Sequence, residues 1–187
     1  MLYEKVEAAI NEHQHAVTTV QQMTDQLSEL VLRMRRVLAS GGRIFACGNG
    51  GSASDAQHFA SELTGRFEKN RRGYAALALT TDSSALTAIG NDFGFEAIFS
   101  RQLEALGLPG DLLIAISTSG NSGNVMRAVD YACRHEIYSI GLLGSDGGKL
   151  AGMVDLPLIV PVHRTARVQE VHIFILHLLC ELLEADE

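Results

Sequence analysis

The chain has 187 residues, of which 47% are hydrophobic and 20% charged, a balance typical of one globular domain and not of a disordered or fibrous chain. Its net charge of −7 argues against a general nucleic-acid or anionic-membrane binder, although a small anionic ligand needs only a local pocket of donors. The three cysteines lie far apart without CxxC spacing, so we expect free thiols. There is no signal-peptide pattern and no apolar run near the ~18 residues of a spanning helix, so we expect a soluble cytoplasmic protein.

Residues 1–40 form a candidate helical arm. Apolar side chains recur at helical spacing over residues 2–39, and Gly41-Gly42 follows as a helix-ending pair. The pattern fits one long helix or a hairpin broken near Thr24-Asp25. Because the arm precedes the first strand, we expect it to pack outside the unit that follows, where spare apolar surface is typical of a contact between subunits.

Short apolar runs alternate with helical patterns through the rest of the chain. The runs, each predicted as a strand, cover residues 43–47, 74–79, 111–116, 137–143 and 156–160. The segments between and after them cover residues 52–67, 83–105 (helix or loop), 122–135 and 164–185. Parallel strands are buried on both faces and therefore look continuously apolar, and their alternation with helices is typical of βαβ units. We predict a single α/β domain over residues 1–187, a three-layer sandwich around a five-stranded parallel sheet.

A glycine-rich loop follows the first predicted strand. Gly48, Gly50 and Ala53 satisfy the G-x-G-x-x-A form of the dinucleotide fingerprint. That fingerprint expects an acidic residue about 20 positions on to hold a ribose, whereas Asp82, at the end of the second predicted strand, comes too late for a good fit. The match is weak, and a tight turn between strand and helix explains the glycines equally well.

A hydroxyl-rich loop follows the third predicted strand. Ser117, Thr118, Ser119 and Ser122 place four hydroxyls in six residues where a strand ends and a helix begins. Hydroxyls and free backbone N–H groups at a helix N-terminus favour an anion, and the loop has no Lys or Arg. We predict a cup that holds a phosphate monoester by hydrogen bonds. An ordinary N-cap would need only one serine.

Two predicted helices carry polar side chains suited to metal binding or acid–base chemistry. His58 and Glu62 are four residues apart and so share one helix face, although such a pair is more often merely solvated. The last helix carries Gln169, His172 and His177 on a largely apolar background, where satisfied core histidines are the plain alternative. Helical geometry does not choose between His172 and His177 as the partner of Gln169.

Four segments together resemble the phosphoheptose isomerases, which are sugar isomerase (SIS) domain proteins. They are CGNGGSASDAQHFASELTGRF at 47–67, GNDFGF at 90–95, AISTSGNS at 115–122 and RVQEVHIFILH at 167–177. The resemblance covers essentially the whole chain and implies a flavodoxin-like fold. It also implies conversion of sedoheptulose 7-phosphate to D-glycero-D-manno-heptose 7-phosphate through an enediol, an early step of ADP-heptose and lipopolysaccharide core biosynthesis.

The resemblance implies a role for particular residues, one zinc ion per subunit, and a homotetramer with active sites between subunits. Glu62 and His177 match the acid–base pair, and the zinc ligands would be His58, Glu62, Gln169 and His177. The substrate-binding residues would be Asn49, Gly50, Gly51, Glu62, Asn91, Asp92, Ser117, Thr118, Ser119, Ser122 and Gln169. Since eight helical residues span about 12 Å, Gln169 and His177 could share a metal only through long side chains, or if the helix begins late, near Gln169.

Other functions remain as alternatives. A non-catalytic SIS-domain adaptor that binds the bacterial replication initiator has similar loops, but that branch lacks an acid at position 62 and a histidine at position 177, and this chain has both Glu62 and His177. A sugar-phosphate-sensing regulator would usually add a DNA-binding domain. An NAD-binding domain fits least, because the serine cup is unexplained and no substrate domain is present.

Overall fold

A layer of parallel strands forms the middle of the molecule, in a computed structural model that describes residues 1–185. The strands are β1 (Ile44–Cys47), β2 (Ala76–Ala78), β3 (Leu112–Ser117), β4 (Tyr138–Gly144) and β5 (Leu156–Val160). The α-helices are α1 (Leu2–Thr18), α2 (Thr24–Ala39), α3 (Gly51–Thr64), α4 (Ser83–Phe93), α5 (Ser100–Leu106), α6 (Gly123–Arg134) and α7 (Thr165–Glu184). Short 3-10 turns occupy Thr19–Met23, Phe95–Ala97 and Lys149–Gly152. No helix within the described residues is both long and apolar enough to cross a membrane.

The sheet has the strand order β2-β1-β3-β4-β5, with every pairing parallel. This order is the flavodoxin-like one, so the predicted fold class is confirmed. The predicted strands match within one residue at each end, except that β2 begins two residues later than predicted and covers only Ala76–Ala78. This strand lies at the edge of the sheet, where Leu77 is exposed, so fewer of its residues are fixed by pairing.

Alternate side chains of the strands enter two separate cores, one on each face of the sheet. Ile44 and Ala46 of β1 pack with buried side chains of α2, α3 and α7. Phe45 and Cys47, the intervening residues, pack with α5 and α6 on the opposite face. Because side chains alternate along a strand, a strand covered on both faces needs apolar residues throughout, which explains the unbroken runs in the sequence.

The N-terminal arm is helical almost throughout, and it is divided by the 3-10 turn at Thr19–Met23 instead of being folded into a hairpin. Its second part belongs to the core of this chain, because Leu27, Leu30 and Met34 of α2 are buried there. By contrast, the start of α1 exposes its apolar residues, among them Leu2, Tyr3, Val6 and Ile10. A contact between subunits therefore stays a prediction for the first turns of α1, while α2 packs against its own domain.

Candidate active site

The loop after β1 turns sharply at Gly50 to begin α3. Gly50 is the N-cap of α3 with φ +57°, a left-handed conformation that other residues adopt at a cost. Gly51 follows at the first helical position, and a Cβ there would overlap the side-chain amide of Gln169. The two glycines therefore let the start of α3 approach α7 closely, and they bring Gln169 to the glycine-rich loop.

A pair of amide side chains joins this loop to the start of α6. Asn49 Nδ2 donates to Asn124 Oδ1 at 2.8 Å, and Asn124 Nδ2 donates to Asn49 Oδ1 at 2.9 Å. Asn124 is 2% exposed and its Oδ1 also accepts the Val125 N–H at 2.9 Å. The carboxyl ends of β1 and β3 are thus linked by side chains, and Asn49 is held in one orientation. Nothing in the local sequence pattern identified Asn124.

The hydroxyl-rich loop follows β3 as predicted, and its serines are not used as a simple helix cap. Ser122 is the N-cap of α6 but makes no capping side-chain hydrogen bond; its Oγ lies 2.9 Å from the Oγ of Ser117. Ser119 is exposed and its Oγ accepts the Asn121 N–H at 3.2 Å, while Thr118 is half-buried. Gly120 has φ +63°, and a Cβ there would overlap the carbonyl of Gly147. The geometry is that of a tightly folded loop with hydroxyls facing each other and the solvent.

The structure brings three of the four predicted zinc ligands together where α3 and α7 run side by side. His58 Nε2 lies 2.8 Å from His177 Nε2 and 3.5 Å from Glu62 Oε1. The rings of His58 and His177 meet edge to face, with centroids 4.9 Å apart. Gln169 instead contacts Gly51, which is seven residues, or about 10.5 Å along α3, before His58. Since α7 begins at Thr165, the helix does not start late to bring Gln169 nearer His177.

His172 faces away from this cluster. It is fully buried, and its Nε2 lies 3.2 Å from the carbonyl oxygen of Leu143 at the sheet. Burial lowers its pKa to about 4, so it is neutral near pH 7. His172 is therefore a core histidine, and His177 is the one that meets His58.

Asp55 is a further acidic group on the same face of α3 that sequence reasoning missed. It lies four residues after Gly51 and three before His58, and one of its carboxylate oxygens is buried with no hydrogen-bond partner. Burial raises its pKa to about 6, against the attraction of His58. The only sequence signal was its position in the helical stripe of Gly51, His58 and Glu62.

The remaining predicted substrate contacts lie near the end of α4. Asn91 and Asp92 are exposed, and Asn91 Nδ2 donates to Asp92 Oδ1 at 2.8 Å. Asp82, the candidate ribose ligand of a dinucleotide site, instead accepts the Ala85 N–H at 2.9 Å as the N-cap of α4. A Cβ at Gly123 would overlap the carboxylate of Glu96, so an acidic side chain also stands at the start of α6.

Comparison with known proteins identifies the family. The family model described as SIS domain matches residues 8–144. A phosphoheptose isomerase of Helicobacter hepaticus is 48% identical over 181 residues, which are 97% of this chain and 92% of that protein. The solved phosphoheptose isomerase of Neisseria gonorrhoeae has a TM-score of 0.93 at 47% identity, covering 99% of this chain and 100% of that one. That of Francisella tularensis has a TM-score of 0.95 at 36% identity, covering all of both chains. This chain therefore belongs to the SIS-domain family and, within it, to the phosphoheptose isomerases, which makes it a sugar-phosphate isomerase.

Proposed function

We propose that the chain converts sedoheptulose 7-phosphate to D-glycero-D-manno-heptose 7-phosphate, an early step towards ADP-heptose and the lipopolysaccharide core. The observation that carries this proposal is the cluster of His58, Glu62 and His177, about two helical turns along α3 from the phosphate loop. A phosphate bound at the loops would direct the other end of an extended sugar towards this cluster. The names of the relatives support the same substrate class.

The reaction moves one proton between neighbouring carbons. In the proposal Glu62 takes a proton from C1 of the ketose, and the electrons of that C–H bond form the C1–C2 double bond of an enediol as the C2 oxygen gains a proton. Glu62 then returns its proton to C2, while the C1 oxygen loses its proton and becomes the aldehyde oxygen. His177 is suited to the oxygen-to-oxygen transfers, because imidazole donates and accepts protons near neutral pH.

Zinc binding is part of the proposal, and the donor chemistry of the cluster fits it. Two imidazoles and a carboxylate are common zinc ligands, but two nitrogens bound to one tetrahedral zinc lie about 3.3 Å apart. The 2.8 Å between His58 and His177 is shorter, because the rings hydrogen-bond each other. Among residues 1–185, no group of three His, Cys, Asp or Glu is already arranged to hold a metal ion. The rings would therefore separate slightly on loading, and a bound zinc would polarise the substrate carbonyl.

Gln169 is better supported as a substrate contact than as a metal ligand from the same chain. Its amide lies against Gly51, in the phosphate loop, and about two turns from His58. Its role as a metal ligand stays a prediction. It requires either that the Gln169 side chain moves towards His58 or that Gln169 of a second subunit supplies the ligand.

We also propose the homotetramer with sites between subunits. His58 and Glu62 keep 44% and 22% of their side chains exposed, so one chain alone leaves the reacting cluster open to water. The helix that carries Asn91 and Asp92, α4, has no buried residue, and Phe93 and Phe95 beside them are exposed. A partner subunit covering this side would bury those aromatic rings and help enclose the site. The three free thiols agree with a cytoplasmic location.

The decisive experiment is incubation of purified protein with sedoheptulose 7-phosphate, with aldose product measured with and without a chelator. Glu62→Gln keeps the shape of the side chain but removes the base, so turnover should fall by about 10² or more while substrate still binds. Exchange of the C1 hydrogen with solvent should fall in parallel. If the unmodified protein isomerises no sugar phosphate, the adaptor function replaces this one, and binding to the replication initiator becomes the assay.

A further inference from the structure

The segment between α3 and β2 is irregular, yet one buried carboxylate holds it in place. Glu184, in the last turn of α7, accepts backbone N–H groups from Phe67 at 3.1 Å, Glu68 at 2.9 Å and Lys69 at 2.8 Å. Its other partner is Arg71, whose Nε donates at 2.8 Å. The side chains of Glu184 and Arg71 are only 3% and 5% exposed. We call this arrangement of Glu184, Arg71 and the three N–H groups the Glu184 clamp.

The clamp keeps its charge at all ordinary pH values. Burial alone would raise the pKa of Glu184, but the hydrogen bonds from Lys69, Glu68, Phe67 and Arg71 outweigh it and lower the pKa to about 2. A fully hydrogen-bonded carboxylate of this kind is costly to disturb, because a lost donor or acceptor is not replaced by water.

Arg71 extends the clamp to the carboxyl end of α3. Its guanidinium donates to the carbonyl oxygens of Leu63 and Glu62, each at 3.0 Å, and its Cζ lies 4.0 Å from the ring centre of Tyr74. The last carbonyl groups of a helix have no hydrogen-bond partner within the helix. A cation there also interacts favourably with the negative end of the helix dipole. The turn of α3 that presents Glu62 is therefore tied to α7 through Arg71.

Phe67 connects the clamp to the proposed acid–base group. Its N–H is bound by Glu184, and its ring lies 5.7 Å from the ring of His177, tilted by 33°. His177 also contacts His58, at 4.9 Å between ring centres. His177 and Glu184 are seven residues apart and so lie on one face of α7. The same helix face thus supplies both the imidazole and the carboxylate that fixes its aromatic neighbour.

We propose that Glu184 and Arg71 are positioning residues, which hold Phe67 against His177 and so orient the imidazole towards His58 and Glu62. The inference rests on the proposed isomerase function and adds to it residues that do not touch the substrate. A simpler possibility is that the buried ion pair only stabilises the fold. The two differ in what happens at His177, because only a positioning role passes through Phe67.

The test compares Glu184→Gln, Phe67→Ala and the double variant in steady-state isomerisation of sedoheptulose 7-phosphate. If Glu184 acts through Phe67, each single variant should lower kcat by on the order of 10-fold or more and change the pH profile of kcat, since small misplacements of a catalytic group are costly. KM should change far less, because the phosphate loops are untouched. The double variant should be no slower than Phe67→Ala alone.

Val129→Ala is the matched control, because it truncates a fully buried side chain of α6 in the opposite core. It should lower the melting temperature without changing the pH profile. If Glu184→Gln behaves like this control, or if its effect multiplies with that of Phe67→Ala, the positioning role is refuted while the isomerase function stands. If the unmodified protein is inactive, the proposed function fails, and the NMR signals of the His177 ring still test the clamp. Displaced signals in Glu184→Gln, in which the Phe67 ring is kept, support it, and unchanged signals in that variant refute it.

Discussion

The amide pair between Asn49 and Asn124 should hold the first phosphate loop in its binding geometry, and Asn124→Ala tests this. The substitution removes two side-chain hydrogen bonds, at 2.8 and 2.9 Å, and the bond to the Val125 N–H. At about 0.5–1.5 kcal/mol for each of the two reciprocal bonds, the free energy of unfolding should fall by about 1–3 kcal/mol. For a chain of this size each kcal/mol shifts Tm by about 2–4 °C.

Urea denaturation at fixed protein concentration measures the stability change, and steady-state kinetics measure the effect on the loop. KM should rise more than kcat falls, because the free Asn49 loop must be ordered again by the substrate. Asn49→Ala breaks the same reciprocal bonds, so the double variant should be little less stable than the worse single variant. Gln57→Ala is the control, since it removes an exposed hydrogen bond of α3, the helix that follows the Asn49 loop, and should cost less than about 0.5 kcal/mol. Additive losses in the double variant, or an unchanged KM, would refute the reasoning.

Three further predictions follow from the site. Ser119→Ala should raise KM more than it lowers kcat. The loss of binding free energy should be at most about 1.5–3 kcal/mol, the contribution of one hydrogen bond to a charged group. Unchanged kinetics would show that Ser119 does not belong to the phosphate cup. His177→Ala should lose co-purifying zinc in elemental analysis whereas His172→Ala should keep it, and the opposite result would show that the wrong histidine has been assigned. Without metal, Asp55→Asn should be more stable than the unmodified protein above about pH 6, and the two should be equally stable below about pH 4. The reason is that burial raises the pKa of Asp55 to about 6, so its ionisation costs stability as pH rises; thermal denaturation across pH measures this, and a pH-independent difference would contradict it.

The fold could be predicted because its main signal is local. Each buried parallel strand is a short apolar run, and all but β4 are followed by an α-helix, so the pattern alone indicates the layers. The arm was predicted only in part. Its helical spacing was clear, but the packing of Leu30 and Met34 of α2 into the core of the same chain depends on contacts with α7 and β1 that a local pattern does not contain.

The geometry of the candidate site was predictable within one loop, and not where it depends on two distant segments. The hydroxyls of Ser117 and Ser122 are close in sequence and pair in space. Asn124 and Glu184, by contrast, bind segments 75 and 113–117 residues away, and neither belongs to a recognisable motif. The choice between His172 and His177 also needed the structure, since only the rotation of α7 relative to the sheet decides which imidazole reaches His58.

The pairing of α3 with α7 explains why these residue types recur at their particular spacings. Gly51, Asp55, His58 and Glu62 lie at i, i+4, i+7 and i+11, which places all four on one face of α3. The facing helix contributes Gln169 near the phosphate end and His177 about two turns later, beside His58. In the proposed function, one helix pair would therefore set both the recognition of the phosphate and the chemistry at the far end of the sugar. The distance along the helix axis from Gly51 to His58 is about 10.5 Å, and in this proposal it fixes the length of sugar phosphate that the site accepts.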